Sequence, residues 1–258
     1  MKKQAFHNFV VDHMTFLVEP ELYKTTYALL RIVFGVSRED LIYEKRSNWA
    51  GQPPRSMTFA SRLGVHGGAG APAQTIVAVV QPTEPDDKPS HVRQMLKNRG
   101  GGCHWQHIAL RTPDLLGFHA FCLERGVNFI TPVLKDDEED LIQVFSGEWM
   151  VPGGRPTATF FEFVQRDPSP ELLEELKSAS NREAWFRDKT FLGLYGEKEA
   201  EYARGAATPF IDDALAERIA RRIGRREVWE VDDALLGEVE ADMLAYAAER
   251  LRAGAKSR

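Results

Sequence analysis

The chain repeats one order of secondary structure, and this repetition constrains its fold more than any other feature. Residues 9–18 (FVVDHMTFLV) form an apolar, β-branched run that predicts a buried strand. A helix is predicted next, with Pro20 at its start and Gly35 at its end. Three further strands are predicted to follow, over 40–45, 55–61 and 75–81.

The same order returns in the second part of the chain. A strand is predicted over 105–111 (WQHIALR) and a helix over 113–126, and the acidic run 135–140 (KDDEED) is predicted to be a solvated loop. Three strands complete the repeat, over 127–130, 140–146 and 158–166. Each repeat opens with a strand that carries a histidine, in DHMTFLV and in QHIALRT, which favours a duplicated architecture.

We therefore expect an α+β fold in which two βαβββ modules form an open curved β-sheet barrel, with an added C-terminal helical region. The paired modules span 1–166, with the first at about 9–100 and the second at 101–166. Helices over 167–205 follow, and then a helical extension over 206–258 with two amphipathic helices. Such a pair of helices needs a surface to cover. We expect it to pack on a neighbouring subunit, which favours a homo-oligomer, or to cap the pocket.

Composition limits the classes of function. A net charge of −5 and a pI near 5.9 argue against a protein whose main role is to bind nucleic acid. No apolar run approaches the roughly 20 residues that a membrane span needs. With only 2 cysteines, no disulfide framework is expected and a reducing, cytoplasmic setting is the default. A small molecule is the expected partner.

Two histidines and one glutamate are the candidate metal ligands. His13 and His107 lie at matching positions of the two repeats, and Glu162 lies among aromatic residues in TFFEFVQR. A buried carboxylate is costly unless a cation or a strong donor meets it. Two imidazoles and one carboxylate form the ligand set that leaves positions open on non-haem Fe(II). Other interpretations stay open: strand histidines are more often structural, and Glu162 could pair with Arg111 or Arg155.

Strand alternation predicts which side chains share a face with the second histidine. His107 should share its face with Trp105 and Ala109, while His104 and Gln106 should lie on the opposite face. On this pattern the buried side of the strand carries His107.

At these residues the chain resembles the vicinal oxygen chelate superfamily, and most of all the catalytic half of the 4-hydroxyphenylpyruvate dioxygenase and 4-hydroxymandelate synthase family. VDHMTFLV and WQHIALRTPDLL resemble the strands that bear the family's two iron histidines, and RPTATFFEFVQR resembles the strand that bears its glutamate. The segment 186–205 is similar to the C-terminal helix that closes over the family's active site. The resemblance runs from about residue 9 to 205.

The resemblance implies that His13, His107 and Glu162 bind iron, and that Gln143 is a catalytic residue. It also implies that several side chains surround the substrate, namely Ser56, Thr83, Gln106, Gln143, Phe145 and Phe191. Structural roles stay open for them, since Gln106 could brace its strand and the phenylalanines could belong to the core. Thr83 departs from the family, which has asparagine there. His91 also departs, standing where a glutamine is expected.

The implied activity is that of an Fe(II)-dependent dioxygenase, with O2 as co-substrate, that oxidatively decarboxylates and hydroxylates an aryl α-keto acid. One alternative is an extradiol dioxygenase that cleaves catechol rings, which uses the same ligand set. Another is a non-catalytic small-molecule binding protein of the same superfamily. The family's non-catalytic N-terminal half has no counterpart here, and neither does this chain's extension after about residue 206.

Overall fold

The computed structural model describes residues 4–64, 75–136, 140–149, 157–178, 190–205 and 207–256. The strands are β1 (Val10–Val18), β2 (Leu41–Ser47), β3 (Arg55–Leu63), β4 (Thr75–Val80), β5 (Cys103–Arg111), β6 (Leu134–Asp136), β7 (Leu141–Phe145) and β8 (Phe160–Arg166). The α-helices are α1 (Pro20–Ile32), α2 (His91–Asn98), α3 (Leu115–Glu124), α4 (Pro170–Ser178), α5 (Thr190–Ala203), α6 (Asp213–Ile223) and α7 (Asp233–Lys256).

The strands form one curled, mixed eight-stranded sheet in the order β2-β3-β4-β1-β5-β8-β7-β6. In each half the first strand runs parallel to the last strand of its own module, β1 beside β4 and β5 beside β8. The two halves meet where β1 pairs antiparallel with β5. The order is therefore mirrored about the sheet centre, which confirms the predicted pair of βαβββ modules in an α+β fold.

Both faces of the sheet are covered. On the outer face of the first half, α1 buries Tyr23 and Leu30 in one core cluster with Phe59. On the outer face of the second half, α3 packs Phe118 against Phe163, with ring centroids 4.6 Å apart. A third cluster lies on the concave face and brings together side chains of β1, β4, α2, β7, β8 and α5. This concave cluster borders the candidate site.

Local signals explain where the helices begin. Pro20 occupies the first turn of α1, where its missing N–H costs no hydrogen bond. The side chain of Asp114 caps α3 by accepting a hydrogen bond from the Gly117 backbone N–H. Ser90 caps α2 in the same way, through the Arg93 N–H. Helix α2 is absent from the order predicted above.

The sixth strand lies later in the chain than the sequence predicts. Residues 127–130 make only isolated bridges, and β6 runs instead over Leu134–Asp136, so two of its three residues fall in the run 135–140 that was predicted to be a loop. The segment 127–130 still bonds the end of β7, because the Ile130 N–H donates to the Phe145 carbonyl and the Gly147 N–H donates to the Asn128 carbonyl. On its other edge the Asn128 N–H donates to the Phe210 carbonyl, and the Asn128 side chain donates to the Pro209 carbonyl. The segment is thus shared between two partners, and its pairing with each is limited to isolated bridges. Residues 137–139 lie outside the described residues.

The extension packs on the second module of its own chain. Leu215 of α6 is fully buried, and a Cβ built on Gly126 would lie 2.9 Å from its Cδ2 atom. Arg125, just after α3, donates to Glu240 of α7. These groups thus contact the outside of the second module, and packing of the extension on another subunit stays a prediction. Among the described helices, none combines the length and the apolar character needed to cross a membrane.

Candidate metal centre

Two β-bulges lie directly before the two candidate histidines. Where β1 pairs with β5, Val11 lies opposite Leu110 and His13 opposite Ala109, so Asp12 is the extra residue. Further along the same pair, the register shifts again between Thr15 and Phe16, and Gln106 is the extra residue of β5. A bulge turns a side chain away from strict alternation. Each bulge residue directly precedes a histidine.

The second bulge corrects the predicted alternation. Gln106 and His107 are both buried on the concave side, whereas Trp105 is 45% exposed on the outer side. Strict alternation would have placed Trp105 and His107 on one face and Gln106 on the other. Ala109 is buried as predicted. The pattern therefore identified the buried histidine but not its neighbour.

The sheet brings the three predicted ligands together. The Glu162 Oε2 atom lies 3.1 Å from His13 Nε2 and 3.1 Å from His107 Nε2. The three ligand atoms all lie within 4.8 Å of one another. Register accounts for this, because His13 faces Ala109 across β1 and β5, and Ala109 faces Glu162 across β5 and β8. Residues in one register row share a face and lie close together.

The bulge residues hold the far side of each imidazole ring. The Asp12 Oδ1 atom lies 3.1 Å from His13 Nδ1, and the Gln106 Oε1 atom lies 3.1 Å from His107 Nδ1. A carboxylate oxygen and an amide oxygen can only accept here, so each Nδ1 carries the proton. That tautomer leaves a lone pair on each Nε2, which is the arrangement that metal-binding histidines use. The Thr15 hydroxyl also lies 3.0 Å from His107 Nε2.

Asp12 joins the two modules electrostatically. Its side chain is fully buried and accepts hydrogen bonds from Arg111 of β5 and Arg166 of β8, the shortest being 2.6 Å to Arg166 Nη2. Burial would raise the pKa of Asp12, but the two guanidinium groups and His13 outweigh burial and hold that pKa far below its usual range. Arg111 therefore pairs with Asp12, not with Glu162, and Arg155 lies outside the described residues.

Charge inside the cluster favours an ionised glutamate. Burial raises the pKa of Glu162, but the nearby imidazoles of His13 and His107 outweigh it and lower that pKa to about 2. Burial also lowers the pKa of His13, yet the carboxylates of Glu162 and Asp12 raise it to about 10. For His107 burial dominates, and its pKa lies below the ordinary value. The site thus holds a buried anion that attracts a cation.

The donor set fits a metal ion. Two ligand atoms about 2.1 Å from one ion and at right angles to each other are about 3.0 Å apart. The two distances of 3.1 Å from Glu162 to His13 and His107 match this value. Among the described residues, no lysine or arginine pairs with the Glu162 carboxylate. A divalent cation would displace the proton that the raised pKa of His13 implies, and would take its place beside Glu162.

The first module lacks a counterpart of the glutamate. In the second module His107 faces Phe160 of β8, and the pair two residues further on is Ala109 with Glu162. In the first module His13 faces Ile76 of β4, and the pair two residues further on is Thr15 with Ala78. Ala78 therefore occupies the position equivalent to Glu162. Its methyl group cannot bind a metal, so a ligand set built by this fold stops at three residues on the described strands.

A cavity of about 250 Å³ adjoins the cluster on the concave face. Gln106, Gln143 and Phe145 line it, as predicted for residues around a substrate. Gln106 is already engaged, because its amide also contacts the sulfur of Met95 at 3.2 Å. It holds His107 in place and offers little to a ligand. Gln143 is the predicted polar residue that remains at the cavity wall.

Ser56 and Thr83 lie outside this cavity, and the side chain of Phe191 lies outside the described residues. A bulge in β3 explains Ser56, because the register shifts between its partners and turns it away from the face of Thr58. Ser56 instead hydrogen-bonds the Tyr23 hydroxyl at 2.7 Å in a separate cleft beside α1. Thr83 is buried, and its hydroxyl has no hydrogen-bond partner among the described residues.

Sequence reasoning missed a buried ion-pair network behind the site. Lys198 of α5 has no exposed surface and pairs with Glu148 at 2.5 Å and with Glu201 at 2.7 Å. Glu201 also accepts hydrogen bonds from Thr208. One turn before Lys198, Leu194 reaches the cavity wall. The network therefore anchors the helix that contributes this wall. The strongly charged segment GEKEAEY gave no sign that its lysine is buried.

No protein-family model matches the chain, and no curated protein matches it. Solved structures do resemble it. A mutant of 4-hydroxymandelate synthase from Streptomyces coelicolor has 19% identity and a TM-score of 0.44, over 62% of this chain and 50% of that one. This chain thus spans half the length of the synthase. A methylmalonyl-CoA epimerase variant from Streptomyces coelicolor, in complex with 2-nitronate-propionyl-CoA, has 18% identity and a TM-score of 0.41, over 61% and 97% of the two chains. The Mycobacterium tuberculosis methylmalonyl-CoA epimerase has 18% identity and a TM-score of 0.39, over 64% and 91%.

Proposed function

We propose that this chain is an Fe(II)-dependent dioxygenase that uses O2 to decarboxylate and hydroxylate an aryl α-keto acid. The observation that carries the proposal is the convergence of His13, His107 and Glu162, within 4.8 Å of one another, beside a cavity on the concave face. Bound to these three ligands, Fe(II) would activate O2 and keep positions open for a bidentate substrate.

The surrounding residues prepare the ligands. Asp12 and Gln106 accept the Nδ1 protons of the two histidines and so direct both Nε2 lone pairs toward Glu162. The low pKa of Glu162, about 2, keeps its carboxylate ionised at neutral pH. The protein thereby supplies the charge and the geometry that a divalent cation needs.

The number of ligands favours a reaction in which the substrate itself coordinates the metal. Ala78 stands at the position equivalent to Glu162 and provides no donor atom. A site with a fourth protein ligand would have less room for a chelating keto acid together with O2. The three-residue set therefore agrees with an oxygenase better than with a fully coordinated site.

The cavity suits a small substrate with an apolar body. Phe145, Leu194 and Val80 contribute apolar wall, and Phe160 stacks on the His107 ring with a centroid distance of 5.3 Å. These side chains would limit the access of water to a bound substrate. Gln143, at 7% exposure, lines the cavity, and its amide could donate a hydrogen bond to a polar group of the substrate. We assign this binding role to it together with the predicted catalytic one.

Extradiol ring cleavage has less support from the cavity. Deprotonation of a catechol calls for a base, and a further histidine near the metal ligands would be the natural candidate. Among the described residues lining the cavity, the only histidines are the proposed ligands His13 and His107. His104 instead lies within 3.2 Å of the Ala158 carbonyl oxygen, outside the cavity lining.

The test is the substitution His107→Ala, with His104→Ala as a matched control on the same strand. We expect His107→Ala to abolish Fe(II) retention under anaerobic purification and to abolish O2 consumption with aryl α-keto acids. His104→Ala should retain both, because its ring does not reach the cluster. An iron-loaded, active His107→Ala enzyme would refute the assignment, as would wild-type protein that consumes O2 with catechols but not with keto acids.

A further inference from the structure

The cavity beside the metal centre carries positive charge on the wall that the first module contributes. Lys45 of β2 and Arg62 of β3 both line it. Glu162 is the one carboxylate among the described lining residues, and it belongs to the ligand cluster. Arg166 also lines the cavity, but Asp12 neutralises it. The wall opposite the ligands is therefore basic.

Arg62 lies in the same register row as two of the ligands. It faces Ile76 across β3 and β4, and Ile76 faces His13 across β4 and β1. The row continues to Ala109, Glu162 and Phe145. We call these six residues the ligand row. Because neighbouring strands are about 4.8 Å apart, the Arg62 and His13 backbones are separated by about 10 Å. A guanidinium group in that gap lies within reach of the far end of a bound small molecule.

The charge of Arg62 is uncompensated within the part of the chain that the structure describes. Its backbone N–H bonds the Asp40 carbonyl, but its guanidinium group has no ion pair or hydrogen bond with a described residue. The side chain is only partly buried, so water solvates it. An arginine fork held at a cavity wall matches the geometry of a carboxylate, which it binds bidentately.

We infer that the substrate carries a second carboxylate, distal to its metal-chelating α-keto acid, and that Arg62 selects for it. This inference deepens the proposed function and rests on it. The α-keto acid end would lie at His13, His107 and Glu162, the apolar body along Ile76 and Val80, and the distal carboxylate at Arg62. Lys45 adds positive potential from β2 without needing to contact the substrate directly.

Binding of matched ligands tests this assignment without turnover. We would measure dissociation constants of phenylpyruvate and 4-carboxyphenylpyruvate by calorimetry, with the Zn(II)-loaded protein under anaerobic conditions. Wild type should bind the dicarboxylate about tenfold more tightly, the factor that corresponds to about 1.4 kcal/mol. Arg62→Gln should remove that preference and leave the affinity for phenylpyruvate unchanged, and Arg62→Lys should keep part of it.

The control is Arg46→Gln, which removes an exposed arginine of β2 that lies outside the cavity and pairs with Glu44. The Arg46→Gln protein should keep the full preference for 4-carboxyphenylpyruvate over phenylpyruvate. Equal wild-type affinities for the two ligands would overturn the inference, and so would an Arg62→Gln protein that keeps the preference.

A second pair of ligands separates this inference from the proposed function. Terephthalate and benzoate differ by one carboxylate and need no chelation to a metal. If the protein retains no metal, the proposed dioxygenase fails, yet a terephthalate preference that depends on Arg62 would still support the anion site. If the metal binds and O2 is consumed, but Arg62→Gln changes the binding preference within neither pair of ligands, the anion site is refuted and the proposed function is not.

Discussion

The two modules share a backbone plan but divide the chemistry between them. Each has a bulge residue and then a histidine on its first strand, Asp12–His13 in one module and Gln106–His107 in the other. Only the second adds a carboxylate on its last strand, where the first has Ala78. Duplication thus gives a symmetric backbone, and the absence of one carboxylate from the first module makes the candidate metal site asymmetric.

The modules also differ in how they are covered. The helical extension packs against α3 in the second module, and Lys198 locks α5 behind the cavity. In the first module the helix α1 leaves apolar side chains exposed, with Leu29 at 49%, Ile32 at 81% and neighbouring Phe34 at 63%. The second module, which carries His107 and Glu162, is thus covered more completely than the first, which carries His13.

The largest expected effect comes from making the first module a copy of the second. Ala78→Glu would place a second carboxylate at the cluster. We expect the variant to bind Zn(II) or Fe(II) but to lose O2 consumption by about 100-fold or more, because a fourth ligand occupies a position that the substrate needs. Metal content and turnover, measured on the same preparation, check this.

Ala78→Gln is the matched control, with almost the same volume and no charge. It should lose less activity than Ala78→Glu if coordination, not crowding, is responsible. Equal losses in both variants, or full activity in Ala78→Glu, would show that Ala78 is not equivalent to the glutamate position.

The next effect concerns the buried ion-pair network of Lys198. Lys198→Met removes the buried cation that pairs with Glu148 and Glu201, and removing one partner of a buried pair costs about 3–5 kcal/mol. Denaturant unfolding would measure the loss. Arg222→Met, which breaks exposed pairs with Asp242 and Glu238, should cost much less, because water screens an exposed ion pair. Similar losses of unfolding free energy in the two variants would show that the buried ion pairs of Lys198 contribute no more to stability than an exposed ion pair.

A smaller effect should distinguish the two bulge residues. Asp12→Asn weakens the acceptor that orients His13 and should lower metal affinity by about 10–100-fold. Gln106→Met should lower it less, because a neutral acceptor contributes a weaker hydrogen bond than a carboxylate. Calorimetric titration with Zn(II) compares the two. A larger loss of Zn(II) affinity for Gln106→Met than for Asp12→Asn would contradict this expectation.

The smallest effect is a pH dependence of the second module. Burial lowers the pKa of His119 to about 4, and its ring packs 4.5 Å from that of Phe129. The unfolded chain binds a proton below about pH 6.5, whereas the folded chain does not until about pH 4. Stability is therefore lost as pH falls through this window.

His119→Phe removes that titration. Between pH 7 and pH 4.5 the wild type should lose about 1–3 kcal/mol more than this variant, as followed by urea unfolding. Parallel curves for the two proteins would mean that His119 is solvated in the folded state.

The architecture and the convergence of His13, His107 and Glu162 were predictable because both depend on pattern. Two repeats with the same order of elements predict two modules, and a histidine at the same position in each points to the centre of the sheet. The segment 127–130 forms isolated bridges where a strand was predicted, and one of its partners lies 80 or more residues away in sequence, as in the bond from the Asn128 side chain to the Pro209 carbonyl. Local propensity holds no information about such a partner.

The details of the cavity depend on bulges, which sequence patterns do not locate. One extra residue reverses the face of a strand, so Gln106 joins His107 inside and Ser56 turns away from the cavity. The dipeptides DH and QH recur at matching positions of the repeat, so the sequence could have identified the residues that hydrogen-bond the two histidines. Arg62 and Ala78 gave no such signal, because their importance follows from register across several strands.

The ligand row has a consequence for how relatives of this chain can diverge. It crosses six strands, and a residue gained or lost inside any of them would swing that strand's contribution to the far side of the sheet. Changes of chain length are then tolerable only in the connections, while new specificities arise by point replacement at places such as Arg62. A lineage built on this plan should vary greatly in its loops and hardly at all in the lengths of its strands.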